Sequence, residues 1–239
     1  MIKVANALNN LGNIRYRSQE HTIAVKFYLD SIKLKVILYG KNSFEVLRSQ
    51  CNLGTAYYEN GNFDLAESIF EKVMQKMEES REMGLDKAWI YDKLGNVSVA
   101  RKSFEDALTY YRKALNIKTD ILKDNGHEDI LKSRYNIALI LCHEKKYEKA
   151  IRILLKIRKR KGSNIDDHNP FMAKISLNIA DAYLSMGRTE EAESYCLTAM
   201  KTLKLANIHE DHPYFQHSQS TFKRINNQNT QNYCLEMRQ

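Results

Sequence analysis

The sequence predicts an all-α fold of stacked helix pairs closed by a capping helix, on three observations. Leu or Ile at positions 11, 53, 94, 137 and 179 recurs every 41 to 43 residues, each followed by a small residue: Gly12, Gly54, Gly95, Ala138 and Ala180. Twelve residues after each small residue stands an alanine (Ala24, Ala66, Ala107, Ala150 and Ala192), and that offset never varies. Only two prolines occur in 239 residues, which favours helices joined by short turns over a loop-rich β fold. A small residue on one helix and an alanine on the next let two antiparallel backbones approach closely. The constant offset therefore means a turn of constant length inside each pair, and all length variation lies between pairs.

The pairs are expected over residues 5–40, 47–82, 88–123, 131–163 and 173–207. In the first, Leu11-Gly12 leads to Ala24. In the second, Asn60-Gly61-Asn62 supplies turn chemistry, and Phe63, Ala66, Ile69, Phe70 and Val73 recur at helical spacing. The third carries Leu94-Gly95 and Ala107; the fourth repeats the apolar spacing in Tyr147, Ala150, Ile151, Leu154 and Leu155. The fifth turns at Met186-Gly187-Arg188. Gly40, Gly84, Gly126 and Gly162 fall in the links, where helix ends favour glycine. His212-Pro213 then opens a capping helix over 213–225, with Phe215, Phe222 and Ile225 on one face to cover the last apolar surface. Residues 226–239, rich in Asn and Gln, are expected to be a disordered tail. The array starts at its first pair with no capping element, which points to a longer parent chain or to pairing with a second copy.

These residues resemble the tetratricopeptide repeat, whose pattern places Leu and Gly/Ala on a first helix and Ala on a second. Tyr57 and Tyr183 match its first-helix aromatic, and Tyr28, Phe70 and Tyr111 its second-helix one; Arg15, Ser98 and Leu141 depart from the pattern. The resemblance covers roughly residues 5–225 and implies a right-handed α-solenoid. The usual period is ~34 residues, so this form carries roughly one extra turn per helix. It is similar to kinesin light chain and nephrocystin-type repeats, which often place Gly-x-x-His-Pro before the first helix. Pieces of that motif stand at Gly40, Gly126-His127, Asn169-Pro170 and His212-Pro213. His127, Asn169 and His212 each lie ten residues before Ile137, Ile179 and Phe222. The resemblance implies a non-catalytic adaptor that recognises cargo or scaffold proteins.

Binding is expected in a concave groove lined by the first helices. Asn10, Asn52, Asn136 and Asn178 immediately precede the landmark residues, and Lys93 takes that place in the third pair. An amide offers donor and acceptor together, so a row of them can hold the backbone of an extended peptide whatever its side chains. The same amides can instead bond within or between helices. Arg17, Arg48, Lys93, Lys132 and Lys174 against Glu59, Asp92 and Asp181 favour an acidic peptide, although charge on a helix face is commonly just solvated. Asn9, Asn13, Asn96, Tyr16, Tyr58, Tyr135 and the lone tryptophan, Trp89, add hydrogen bonds and flat apolar contacts. Trp89 has an equal alternative as a packing residue between helices. Of the chaperone-type carboxylate clamp that related repeats carry, Asn9, Asn13, Asn52, Trp89 and Lys93 occupy the places, and two basic positions are missing.

Other classes find less support. No run of ~18 apolar residues exists, so no membrane span is expected, and the start lacks a signal peptide's apolar stretch. Cys51, Cys142, Cys196 and Cys234 form no CxxC pair, which suits reduced thiols in a cytoplasmic protein. No cofactor, metal or catalytic motif emerges: His143-Glu144 lacks a second histidine, and His209, His212 and His217 belong to the last link and cap. Arg152, Lys156, Arg158, Lys159, Arg160 and Lys161 form a basic cluster that suits a helix C-terminus. An RNA-binding role for the cluster at 152–161 is the weaker alternative, and a peptide-responsive regulator the stronger one. The net charge of +8 aids association with acidic partners in any of these cases.

Overall fold

The computed structural model describes residues 1–79, 84–159 and 169–236. Among them it holds eleven helices and no strand: α1 (Ile2–Arg17), α2 (His21–Tyr39), α3 (Phe44–Glu59), α4 (Phe63–Glu79), α5 (Leu85–Ala100), α6 (Phe104–Leu122), α7 (Glu128–His143), α8 (Tyr147–Arg158), α9 (Pro170–Ser185), α10 (Thr189–Leu205) and α11 (Pro213–Glu236). They fall into two compact units, Met1–Ile121 and Leu122–Gln239.

The repeat expected from sequence is the repeat of the fold. Each landmark residue sits on the first helix of a pair and each alanine on the second. All five alanines have no exposed surface. Leu53, Leu94, Ile137 and Ile179 are buried as well, whereas Leu11 is 40% exposed beside Val4 and Ile14 on the same open face of α1. Every first helix starts three residues before the expected repeat boundary, and Ser43, His127 and Asn169 cap α3, α7 and α9 with a side-chain hydrogen bond.

Those caps explain the residues ten positions upstream of the landmarks. His127 Nδ1 accepts from the Asp129 N–H at 3.2 Å, Asn169 Oδ1 from Phe171 N–H at 2.8 Å, and His212 Nδ1 from Tyr214 N–H at 3.2 Å. A ring nitrogen thus does for α7 and α11 what the amide oxygen does for α9. Pro170 and Pro213 each follow at the first helical position, where a missing N–H loses no bond.

All five turns inside the pairs share one geometry. Gln19, Gly61, Lys102, Lys145 and Gly187 have φ of 61°, 77°, 61°, 59° and 76°, at equivalent places in the repeat. The next N–H in each turn reaches back five residues, as in Glu20 to the Arg15 carbonyl at 2.9 Å and Lys146 to the Leu141 carbonyl at 2.8 Å. Glycine is therefore not required there: three of the turns hold a long polar residue in the left-handed region at a cost of about 1–2 kcal/mol.

The first-helix glycines are a different matter. A Cβ on Gly12, Gly54 or Gly95 would stand 2.6, 2.8 and 2.6 Å from the rings of Tyr28, Phe70 and Tyr111, each sixteen residues on. In the second unit the same two places hold Ala138 with Leu154, and Ala180 with Cys196, all buried.

The last helix is longer than expected. No proline or glycine follows Pro213, so α11 continues through 226–236 to Glu236, where a frayed tail was anticipated. Phe215, Ser218, Thr221 and Ile225 bury one face of α11 against α9 and α10.

Candidate functional site

The first helices of the first unit carry most of the anticipated binding residues to one place. A cavity of ≈ 650 Å³ is bordered by α1, α3 and α5, with α2 behind. Asn9, Asn10, Asn13, Tyr16 and Arg17 come to it from α1, Arg48 and Asn52 from α3, and Trp89 and Lys93 from α5. Period explains the convergence: residues one repeat apart on parallel first helices lie side by side, so a pattern spaced by about 42 in sequence becomes a row across the wall.

Two of the amides are joined across the helices. Asn52 Nδ2 donates to Asn9 Oδ1 at 3.4 Å, joining neighbouring first helices, and the Ser49 hydroxyl stands 3.2 Å from the same oxygen. Asn10 is exposed on the cavity wall. Asn13 has a second role, accepting the Tyr28 hydroxyl at 2.9 Å. Tyr16 donates to Glu59 at 3.3 Å, and burial, reinforced by that carboxylate, raises its pKa.

Trp89 packs between helices and is also partly exposed at the cavity. One edge meets Phe70, with centroids 6.1 Å apart at 80°, while 36% of the residue stays exposed at the cavity. Lys93 lies 5.0 Å over the indole, a cation–π contact, and burial lowers its pKa while Glu59 and Asp92 oppose that. Four cations, Arg17, Lys35, Arg48 and Lys93, line the cavity and no carboxylate does. Of the anions expected there, Glu59 is taken by Tyr16, and Asp92 is paired with Lys118.

Other anticipated residues lie elsewhere. Tyr58 packs on Phe63 at 5.6 Å, and Asn96 accepts the Tyr111 hydroxyl at 2.7 Å. In the second unit, Lys132 pairs with Glu128 at 2.7 Å, and Asn136 is half-buried on α7. Lys174 sits 5.0 Å over Tyr135, and Asn178 donates to the Tyr135 hydroxyl at 2.9 Å and to the Lys174 carbonyl at 2.8 Å. Asp181, expected to face a ligand, is occupied by α11: His217 at 2.7 Å, Thr221 at 3.0 Å and Arg224 at 3.2 Å. A smaller cavity of ≈ 260 Å³ there has Asn178, Asp181, Cys142 and His143 in its wall.

Sequence reasoning missed Asn6, Tyr28, Lys35, Ser49 and Thr55 in the first cavity. Lys35 is one of three lysines, with Lys118 and Lys161, at a second-helix position where the other two pairs hold Met77 and Leu203.

Burial pushes the Cys51 thiol up to about 12, and the Cys142 and Cys196 thiols to about 11, so none is a reactive thiolate at neutral pH. Among the described residues no cluster of His, Cys, Asp and Glu could hold a metal, and no helix is long and apolar enough to cross a membrane. Of the basic cluster, Arg158 bonds Ser176 and lies 5.6 Å over Tyr195, while Arg152 reaches the Glu148 carbonyl at 3.4 Å. Arg160 and Lys161, like Gly162 in the link, lie outside the described residues.

Known structures share this architecture. The chain is similar to a Podosopora anserina protein with nearly identical kinesin light chain TPR-like repeats, at 16% identity over 85% of this chain and 97% of that one, with a TM-score of 0.70. It is similar to BtubC from P. vanneervenii at 17% identity, over 89% and 84% of the two chains, with a TM-score of 0.73. The Rap conjugation gene regulator of plasmid pLS20, solved in complex with the Phr* peptide, matches at 18% identity over 86% of this chain and 54% of that one, with a TM-score of 0.67. At these identities the likeness is one of fold. The SHNi-TPR family model matches residues 88–124, and the tetratricopeptide repeat model matches 3–79 and 129–204. The chain belongs to the tetratricopeptide repeat family.

Proposed function

We propose that the chain is a non-catalytic interaction module of the cytoplasm that binds an extended, acidic peptide segment in the cavity along α1, α3 and α5. The observation that carries this reading is the composition of the wall: four cations and five asparagines, with no carboxylate. Amides suit a peptide backbone and the cations suit acidic side chains. The family is one of interaction folds, and the Rap regulator, similar in fold, was solved with a peptide bound. A peptide-responsive regulator is the same binding event coupled to a second partner.

The test is a peptide array comparing wild type with Asn52→Ala and with Asn178→Ala. Loss of one hydrogen-bonding amide is expected to weaken acidic-peptide binding by about three- to tenfold for Asn52→Ala. Asn178→Ala is expected to change nothing, since that side chain is not in the wall of this cavity. Equal binding of every peptide by wild type and Asn52→Ala would remove the proposal.

A further inference from the structure

Two positions come together within the pairs where both are described: the second residue before the landmark on the first helix, and the eleventh after the buried alanine on the second; in the fourth pair the latter is Lys161, outside the described residues. In the second pair they are Cys51 and Met77, and in the fifth Leu177 and Leu203, both packed into apolar clusters. In the third pair they are Asp92 and Lys118, which form a largely buried ion pair. The first pair matches neither solution. It holds Lys35, only 7% exposed, opposite Asn9, a neutral amide.

Lys35 therefore has the cation of the third pair without its carboxylate. Its Nζ donates to the Ser49 hydroxyl at 2.8 Å, and Ser49 in turn lies 3.2 Å from Asn9 Oδ1 and 3.1 Å from the Glu45 carbonyl. No Asp or Glu lies within ion-pair distance of it among the described residues. Burial lowers the Lys35 pKa, the Arg48 charge lowers it further, and Glu45 opposes both. A desolvated ammonium held by one neutral hydroxyl is an incomplete arrangement, and the side of Lys35 left open is the cavity itself.

We infer that Lys35 is an anion subsite of this cavity, taking a carboxylate of an Asp or Glu side chain on the bound peptide in the role that Asp92 plays for Lys118. The inference rests on the peptide-binding reading above and adds to it one residue, from the second helix rather than the first, that selects charge. Asn9 leaves the place vacant for the ligand: an aspartate there would fill it from within. Arg48, in the same wall, is the second cation available to the anion. A free inorganic anion presents the same oxygens, so the experiment separates the two sources.

The full chain is titrated with a short, N-acetylated and C-amidated oligoglutamate, with the matched oligoglutamine, and with inorganic phosphate. The lone tryptophan, Trp89, stands in the cavity wall and reports occupancy by its fluorescence. Wild type is expected to prefer oligoglutamate by about tenfold, the scale of one charge-assisted contact. Lys35→Met, which copies Met77, and Asn9→Asp, which copies Asp92, are each expected to cut that preference to about twofold. Asn9→Asp is also expected to raise Tm, through an internal ion pair. Asn52→Ala is expected to weaken both peptides and keep the preference. An unchanged preference in both Lys35→Met and Asn9→Asp would overturn the subsite and leave the groove standing. If neither peptide binds wild type, the groove reading fails for these ligands, and phosphate decides. A phosphate-dependent rise in Tm that Lys35→Met abolishes assigns the subsite to a free anion, and no such rise overturns it.

Discussion

The two units build the same helix pair from different parts. In the first, each pair closes by pressing an aromatic ring onto a glycine: Tyr28 on Gly12, Phe70 on Gly54, Tyr111 on Gly95. In the second, the joint is an alanine against a smaller side chain, Ala138 with Leu154 and Ala180 with Cys196. For Ala138 with Leu154 the summed volume is roughly kept while its division between the helices changes, which is the kind of exchange a close-packed core tolerates; Ala180 with Cys196 makes a smaller sum. The polar neighbours follow the same logic. Where the ring is tyrosine, the next first-helix residue is asparagine and accepts its hydroxyl, at 2.9 Å for Tyr28–Asn13 and 2.7 Å for Tyr111–Asn96. Where the ring is Phe70, that residue is Thr55, which bonds the Cys51 carbonyl at 3.0 Å instead.

The largest effect is expected from removing the ring. Phe70→Ala should destabilise the first unit by about 3–5 kcal/mol, whereas Cys196→Ala in the second should cost roughly 1 kcal/mol. Hydrogen exchange of the intact chain, resolved by unit, measures both; equal losses would break the comparison. Next comes the glycine. Gly95→Ala should cost about 1–3 kcal/mol, because its Cβ would meet a buried ring at 2.6 Å. Combining it with Tyr111→Leu copies the second unit's joint, and the pair should fall short of additivity by about 1 kcal/mol. Strict additivity in thermal unfolding would mean that glycine and ring are unrelated choices.

The smallest effect concerns the end of the second unit. The hydrogen bond to Asp181 is the main cause raising the His217 pKa, with the Asp181 charge adding, while burial and Arg224 oppose it. A raised folded pKa means that docked α11 holds the proton more tightly than the unfolded chain does. That stabilisation is fully present below the ordinary histidine value and is lost as pH rises through the folded one. Between pH 6 and 8, α11 amides should exchange faster after correction for intrinsic rates, by less than about tenfold, since the ring is half exposed. His217→Gln should abolish the change; the same pH dependence in that variant would assign it elsewhere.

Much of the fold was legible because close packing is written in residue size: a small residue and an alanine at fixed offset can mean little else. The caps were visible as a recurrence before their geometry gave a reason. Less legible were the turns at Gln19, Lys102 and Lys145, where nothing local announces a left-handed backbone and the packed helices on either side impose it. The candidate site was legible as a row and not as bonds. Asn10 and Asn52 hold the same place in the repeat, yet one is exposed on the cavity wall and the other links two helices. α9 alone presents Asp181 to a ligand, and only the docked α11 shows what occupies it. Lys35 escaped because its stem rises from the helix behind the wall.

The shared turn has a consequence for how such a chain can change its length. One residue added between a landmark and its alanine would rotate the second helix by about 100° and turn its buried face to solvent. One residue added in a link displaces only the approach to the next cap. Insertions and deletions can therefore accumulate in the couplers while the hairpins keep their phase, and the spread of 41 to 43 residues between landmarks is the trace of that asymmetry.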